Sequence, residues 1–313
     1  MPDQDQNSIG VALSGSTVRA GLVDEAGNII DRREAKIAPE NLVEQVATIA
    51  RDLASIAPVS SIGIAIPGLV NRQTDSVVTS RFPSTVGGNL HAEFMRATGL
   101  RVEIENDANA AAYGEFKVGA GSGSRDMFYM MIGEGIGGAI ILNGKLWTGS
   151  SGFAGEVGHI TIDTEGLECV CGNTGCLETV ASAPSIVRRA RERLNRDSTS
   201  SLSRLGLKRN FTAFDVAQQA KEGDDFALMM IERTGKYIGT GVASVINLLN
   251  IERIVLGGGV MDAGSLILNP IIHEAKRRAF LSCFEATEIV AAKLGWDAVP
   301  IGVALLARNA ADV

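Results

Sequence analysis

The apolar positions at the start of the chain fall in short runs. Residues 9–13 (Ile-Gly-Val-Ala-Leu), 18–23 and 28–31 read as consecutive short strands, and Asp24-Glu25-Ala26-Gly27 supplies turn chemistry between the last two. The pattern then changes period. Leu42, Val43, Val46, Ile49, Ala50 and Leu53 recur at helical spacing behind Pro39, which predicts an amphipathic helix. A strand is predicted at 62–66, ending in Pro67-Gly68. Helix, strand and helix follow at 90–98, 101–105 and 108–116.

A Gly/Ser stretch at 119–124 reads as a boundary. Beyond it, 127–132 and 138–142 resemble a second hairpin, closed by Asn143-Gly144. Ser182 and Pro184 open a helix that runs to Leu194, a polar loop covers 196–210, and a long helical pattern spans 226–249. Gly235, Gly239 and Gly241 interrupt that helix. Glu232, Arg233 and Lys236 exclude a membrane segment there, so the small residues are read as sites of close helix packing. A strand at 252–256 ends in Gly257-Gly258-Gly259. Helix 266–278, strand 288–292 and an apolar helix at 299–309 complete the chain. These elements predict two α/β domains: 1–118, with a C-terminal helix (298–313) packing back on it, and 119–297.

Composition narrows the function. The 313 residues are 45% hydrophobic and 21% charged, a balance that fills cores and is wrong for a disordered chain. Lys plus Arg is 29 against 36 Asp plus Glu, a net charge of -7, so no basic field attracts nucleic acid. Aromatics at 5% argue against base-stacking platforms. The polar N-terminus lacks the features of a secretory signal, and no apolar run reaches spanning length, so no membrane association is expected and a cytoplasmic location is. In that compartment the four cysteines are thiols or metal ligands rather than disulfides.

Cys169, Cys171 and Cys176 form a C-x-C-x4-C loop with Gly172 and Gly175 inside it, preceded by His159 on a predicted strand at 157–163. Three thiolates and an imidazole complete a tetrahedral zinc set, and a closed four-ligand shell is structural rather than catalytic. The alternative is a trio of buried or redox-active thiols. Cys283 stands alone on an apolar segment and reads as packing.

Glycine-bearing turns follow several strands: Ser14-Gly15-Ser16-Thr17, Gly133-Glu134-Gly135-Ile136-Gly137-Gly138, Gly152-Phe153-Ala154-Gly155 and Gly257-Gly258-Gly259. None is a P-loop, and Gly133 onward leads into a strand rather than a helix, which disfavours a dinucleotide fingerprint. Each alone could be an ordinary hairpin turn. Asp107 lies where a strand meets a helix, a position at which a carboxylate also serves as a cap. Glu156 and Glu178 flank the cysteine loop, and paired carboxylates with amides suit the vicinal hydroxyls of a sugar.

Taken together, the segments 105–111 (Glu-Asn-Asp-Ala-Asn-Ala-Ala), 155–159 (Gly-Glu-Val-Gly-His), 169–178 and 254–260 resemble the ROK family of repressors, open reading frames and sugar kinases. The likeness runs from about Ile9 to the C-terminus, in the family's order. It implies an actin-like ATPase fold of two α/β domains around an interdomain cleft. It also implies an ATP-dependent kinase, similar to glucokinases or N-acylhexosamine kinases, acting on a hexose or N-acylhexosamine, with Mg²⁺ and ATP as cofactors and a homodimer as the assembly. By the same resemblance Gly68, Asn106, Asp107, Glu156, His159 and Glu178 would meet the sugar, with Asp107 as general base. Gly15, Ser16, Gly133, Gly135, Gly257, Gly258 and Gly259 would meet the nucleotide, and His159, Cys169, Cys171 and Cys176 would hold zinc.

The chain departs from the family pattern at both phosphate loops. Where Asp-x-Gly-Gly-Thr is usual, it reads Ala12-Leu13-Ser14-Gly15-Ser16; where Gly-Thr-Gly-x-Gly is usual, it reads Gly133-Glu134-Gly135-Ile136-Gly137. Losing one electrostatic stabiliser typically costs on the order of 10²–10³ in rate. Glu134 could bind Mg²⁺ in place of the missing aspartate or point elsewhere, so a catalytically impaired sugar-binding or sensing protein is the second expectation. Residues 80–84 (Ser-Arg-Phe-Pro-Ser) also differ from the family, which leaves the sugar's identity open. The first phosphate strand starts near Ser8, so the winged helix of the repressor branch is not expected.

Overall fold

In the computed structural model, which describes residues 7–71, 74, 76–80, 88–194 and 200–309, the opening apolar runs form the meander β1 (Asn7–Ser14), β2 (Thr17–Val23) and β3 (Ile29–Lys36). Helix α1 (Leu42–Ala54) leads to β4 (Val59–Ile66), then to the small hairpin β5 (Gly68–Asn71) and β6 (Ser76–Ser80). Helix α2 (Leu90–Thr98), β7 (Arg101–Asn106) and α3 (Asp107–Val118) follow. The strands pair in the order β3-β2-β1-β4-β7, with β1, β4 and β7 parallel and the meander antiparallel. The central strands are buried on both faces because both faces are covered, and the polar pair Ser8 and Ser61 there bond to each other at 2.9 Å. On one side α1 and α2 supply Val46, Leu53 and Phe94. On the other, Ala110 of α3 and Val303 of α11 (Ala298–Arg308) lie against Ala65.

Residues 81–84, part of the segment that differs from the family, lie outside the described residues.

Glycine sets how closely α11 approaches. A Cβ at Gly10 would fall 1.8 Å from the Pro300 carbonyl oxygen, and one at Gly302 would fall 1.7 Å from that of Ala110. Gly302→Ala therefore forces α11 off α3. Overpacking of this kind costs about 1–3 kcal/mol or more, and a drop in Tm of several degrees by calorimetry is the expected result. An unchanged Tm would contradict this packing. Glu115, fully buried in α3, accepts backbone N–H bonds from Ala120 (2.7 Å), Lys293 (3.0 Å) and Leu294 (2.7 Å), anchoring the segment that leads into α11.

The remaining elements are β8 (Met127–Ile132), β9 (Ile136–Leu142), β10 (Lys145–Trp147), α4 (Glu178–Ala181), α5 (Ala183–Leu194), α6 (Ser201–Lys208), α7 (Ala213–Lys221), α8 (Asp225–Leu249), β11 (Arg253–Gly257), α9 (Ser265–Arg278), α10 (Leu281–Glu285) and β12 (Glu288–Ala291). The second five-stranded sheet has the order β10-β9-β8-β11-β12. The chain divides into two units: one of Met1–Tyr129, Ala139–Gly155 and Lys293–Val313, the other of Met130–Gly138 and Glu156–Ala292.

Helix α8 is capped by Asp224 and ends at Asn250 in the left-handed conformation. Its glycines let α9 in closely, as their pattern predicts: a Cβ at Gly239 would sit 2.6 Å from the Ile271 carbonyl oxygen, and one at Gly235 would sit 2.9 Å from that of Ile267.

Three expectations are corrected. Asn143-Gly144, both at positive φ, join β9 to β10, whereas β8 and β9 are joined through Gly133–Gly135. The expected polar loop contains α6, opened by the Ser200 side chain accepting from the Leu202 N–H; its leucines, Leu202, Leu205 and Leu207, span too few turns to set a period against the polar residues around them. His159 ends a single 3₁₀ turn, Val157–His159, rather than lying on a strand. Gly158 there sits so close to β9 that a Cβ would be 2.1 Å from the Ile136 carbonyl oxygen.

Candidate functional site

In the first unit, β7 delivers Asn106 to the start of α3. Asn106 adopts an extended conformation (φ −65°, ψ 145°), and its side-chain oxygen accepts from the N–H groups of Ala108 (2.8 Å) and Asn109 (3.1 Å). Its amide Nδ2 donates to the Gly68 carbonyl at 2.8 Å, so these two predicted site residues are joined directly. The cap is therefore Asn106 and not Asp107. Asp107 is the first residue of the helix, half-buried, with Oδ1 3.0 Å from the Ala108 nitrogen. Tyr129 is buried, and its phenol is held well above the ordinary range by that burial and by the charges of Glu115 and Asp107.

Gly15 and Ser16 make the exposed two-residue turn between β1 and β2, Gly15 at φ +57°. Ala12, just before it, is buried. Strand register places it opposite Arg19 on β2 and beside Ala65 on β4, which in turn pairs with Glu105 on β7. Arg19 pairs with Glu34 at 3.1 Å and stacks over Trp296 at 4.6 Å.

The second unit holds the other predicted residues. In the Gly133–Gly135 turn, the Gly133 N–H donates to the Gly135 carbonyl (2.8 Å), and the Gly133 carbonyl accepts from Ala183 (2.8 Å). The Ile136 N–H donates to the Glu178 carboxylate at 2.6 Å, which ties Glu178 to this turn. Glu134 is exposed and makes no hydrogen bond or ion pair among the described residues. Gly257, Gly258 and Gly259 follow β11. Gly258 is at φ +90°, and a Cβ there would be 2.3 Å from the Ile132 carbonyl oxygen, so side-chain-free backbone is needed where the strand passes β8.

The cysteine loop folds on itself through bonds from the Cys169 N–H to the Asn173 carbonyl (2.8 Å) and from the Gly172 N–H to the Cys169 carbonyl (2.9 Å). Leu177, between Cys176 and Glu178, rests on α8 at Gly241, where a Cβ would be 2.8 Å from its Cδ2. One ligand atom each from His159, Cys169, Cys171 and Cys176 lies within 4.8 Å of all the others. The Cys171 and Cys176 sulfurs are 3.7 Å apart, and Cys169 Sγ is 3.6 Å from His159 Nδ1. A tetrahedral zinc with bonds of about 2.3 Å to sulfur and 2.0–2.1 Å to nitrogen requires about 3.8 and 3.6 Å for these edges. The donor set fits such an ion in number, chemistry and spacing. Burial and the neighbouring thiols push the Cys176 thiol up to about 12, and a bound cation would act in the opposite direction. Cys283 is half-buried on α10 and is outside this group.

With Nδ1 turned to the thiols, His159 presents Nε2 to Glu156 at 3.9 Å. Partial desolvation raises the Glu156 carboxyl above its ordinary range. His159 opposes the rise, and the Glu178 charge adds to it. The loop and the two carboxylates thus form one cluster. Glu105, Glu115 and Glu274 are the buried acids among the described residues that sequence reasoning left without a role; only their three-dimensional partners distinguish them from surface acids.

An α/β chain with glycine turns at strand ends and a metal-capable loop beside paired carboxylates belongs to the actin-like ATPase and sugar kinase class of folds. The model of the ROK family matches residues 8–310, and the chain belongs to that family. It is 36% identical to a glucokinase of Halalkalibacterium halodurans over 97% of this chain and 96% of the relative. A ROK glucokinase from Streptomyces griseus, solved in complex with glucose and AMPPNP, superposes with a TM-score of 0.86 at 32% identity, covering 97% of this chain and 99% of that one. A ROK transcriptional regulator, a homologue of the E. coli MLC protein, superposes with a TM-score of 0.89 at 28% identity, covering 98% of this chain and 79% of that one.

Proposed function

We propose that this protein is an ATP-dependent sugar kinase that phosphorylates a hydroxyl of a hexose or N-acylhexosamine. The observation that carries the reading is Asp107, set as the first residue of α3, a helix whose cap is Asn106, in a chain similar along nearly its whole length to glucokinases. In this reading Asp107 accepts the proton of the attacking hydroxyl, and Asn106 orients it. Glu156, Glu178 and the Nε2 edge of His159 accept from or donate to further hydroxyls. Gly15, Ser16, Gly133, Gly135 and Gly257–Gly259 supply backbone for the nucleotide, and Mg²⁺ when bound would neutralise charge on its phosphates. His159, Cys169, Cys171 and Cys176 hold a structural zinc. A homodimer and a cytoplasmic location accompany the family likeness. Among the described residues no helix is long and apolar enough to cross a membrane.

A second reading, a sugar-binding or sensing protein with impaired chemistry, is favoured by Ala12 and Glu134 and by the likeness to a transcriptional regulator. ADP release by pure protein over a sugar panel separates the two. Sugar-dependent release supports the kinase; sugar binding without turnover at millimolar Mg-ATP supports the sensor. The double variant Ala12→Asp/Glu134→Thr restores the aspartate of the first phosphate loop and the threonine of the second. A silenced kinase gains on the order of 10²–10³ in rate on this change, whereas an enzyme that already uses Glu134 loses activity.

A further inference from the structure

We infer that Glu105 is a positioning residue for Asp107, holding the end of β7 and the first turn of α3 in one arrangement; this rests on the reading of Asp107 as the base. Glu105 is only 1% exposed, on the face of the sheet that α3 and α11 cover. Across the sheet on that face it pairs with Ala65, whose own neighbour is the buried Ala12, while the positions two away along the chain are the acids Glu103 and Asp107. A carboxyl group is costly to bury unless hydrogen bonds compensate it, so burial alone does not account for it here.

The hydrogen bonds do. One oxygen, Oε1, accepts both from the Asn106 backbone N–H at 2.8 Å and from the Asn109 side-chain Nδ2 at 3.0 Å. Asn109 is itself 4% exposed and lies one helical turn beyond Glu105. The residue before Asp107 and the residue two after it are therefore gripped by a single atom. The Asn106 side chain adds the link to Gly68. With the peptide groups on both sides held, the Cα–Cβ bond of Asp107 has a fixed origin and direction, and only side-chain rotation remains. Displacement of a reacting group by about 1 Å can cost about 10²-fold in rate.

The test compares Glu105→Leu, which removes the acceptor, with Glu105→Gln, which keeps an oxygen at Oε1, and reads both turnover and hydrogen exchange. In Glu105→Leu, kcat falls about 10- to 100-fold with KM for sugar changed less than about threefold. Exchange of the amides at 106–110 speeds up, while Tm stays within a few degrees. Glu105→Gln recovers most of both losses, and Asn109→Ala reproduces the leucine phenotype without adding to it in the double variant. Unchanged amide protection in Glu105→Leu, or a glutamine variant as impaired as the leucine one, would overturn the assignment. If the unmodified protein transfers no phosphoryl group, the kinase reading fails, and amide exchange still decides whether Glu105 clamps this turn.

Discussion

Asp107→Asn lowers kcat for sugar phosphorylation by about 10²–10⁴, the usual contribution of a general base, and leaves the calorimetric Kd for the sugar within about tenfold. The asparagine keeps the size and the oxygen that faces the Ala108 N–H at 3.0 Å, so the start of α3 is preserved. What it lacks is a lone pair basic enough to take the hydroxyl proton as the phosphorus–oxygen bond forms. Because the cap is made by Asn106, the helix loses no cap, and Tm should move by no more than a degree or two. The separation of rate from binding and stability is what identifies a base. A variant with full kcat would remove Asp107 from the chemistry; a variant that lost sugar binding and turnover equally would make it a binding group only.

Stripping the metal has the second large effect. Purified protein is expected to carry one equivalent of zinc by elemental analysis. Removing it with a strong chelator, or through Cys176→Ser, lowers Tm by more than about 10 °C, since structural zinc sites contribute on the order of 10 kcal/mol of apparent binding energy. Backbone hydrogen bonds close the loop and Cys169 and Cys176 are buried, but at its tip Cys171 is exposed and Val170 is 97% exposed, so no apolar core there replaces the ion. Sugar affinity falls as well, by tenfold or more, because the ring that meets the thiols at Nδ1 faces Glu156 at Nε2, and release of Nδ1 lets the imidazole turn. Cys283→Ser serves as the control and changes neither property. Protein that contains no metal as purified, and binds sugar with ordinary affinity, would refute the scaffold.

The phosphate-loop departures look different in three dimensions than along the chain. Ala12 is a buried residue on a sheet face pressed by α11, so Ala12→Asp introduces a carboxyl about two strand spacings, some 9–10 Å, from Glu105 in the same cross-sheet row. Glu134 is exposed on its turn and free to change rotamer. The two substitutions are thus unequal: one alters a packed interior face and the other a solvated side chain.

The chain pattern was sufficient for the long elements. The period of 3.6 in α1 and α8, the apolar runs of β1, β4 and β11, and the glycines between α8 and α9 are local signals, because each reflects which face of one element must be buried. The spacing of His159, Cys169, Cys171 and Cys176 was equally legible, since ligand chemistry is written in residue type and separation. Short elements were not. The 3₁₀ turn at His159 and helix α6 are too brief to show a period, and tertiary contacts decide their conformation.

The sequence alone determined the α/β class, the four candidate metal ligands and the segment that carries Asp107, because these depend on composition, periodicity and the order of chemical groups along one chain. Only the tertiary structure decided that Asn106 caps α3 so that Asp107 need not, that His159 divides its two nitrogens between the thiols and Glu156, and that Glu178 binds the Gly133–Gly135 turn. Those assignments rest on distances between groups far apart or differently turned in the chain. Hydrogen bonding and coordination fall off within a few ångströms, so no one-dimensional spacing can specify them.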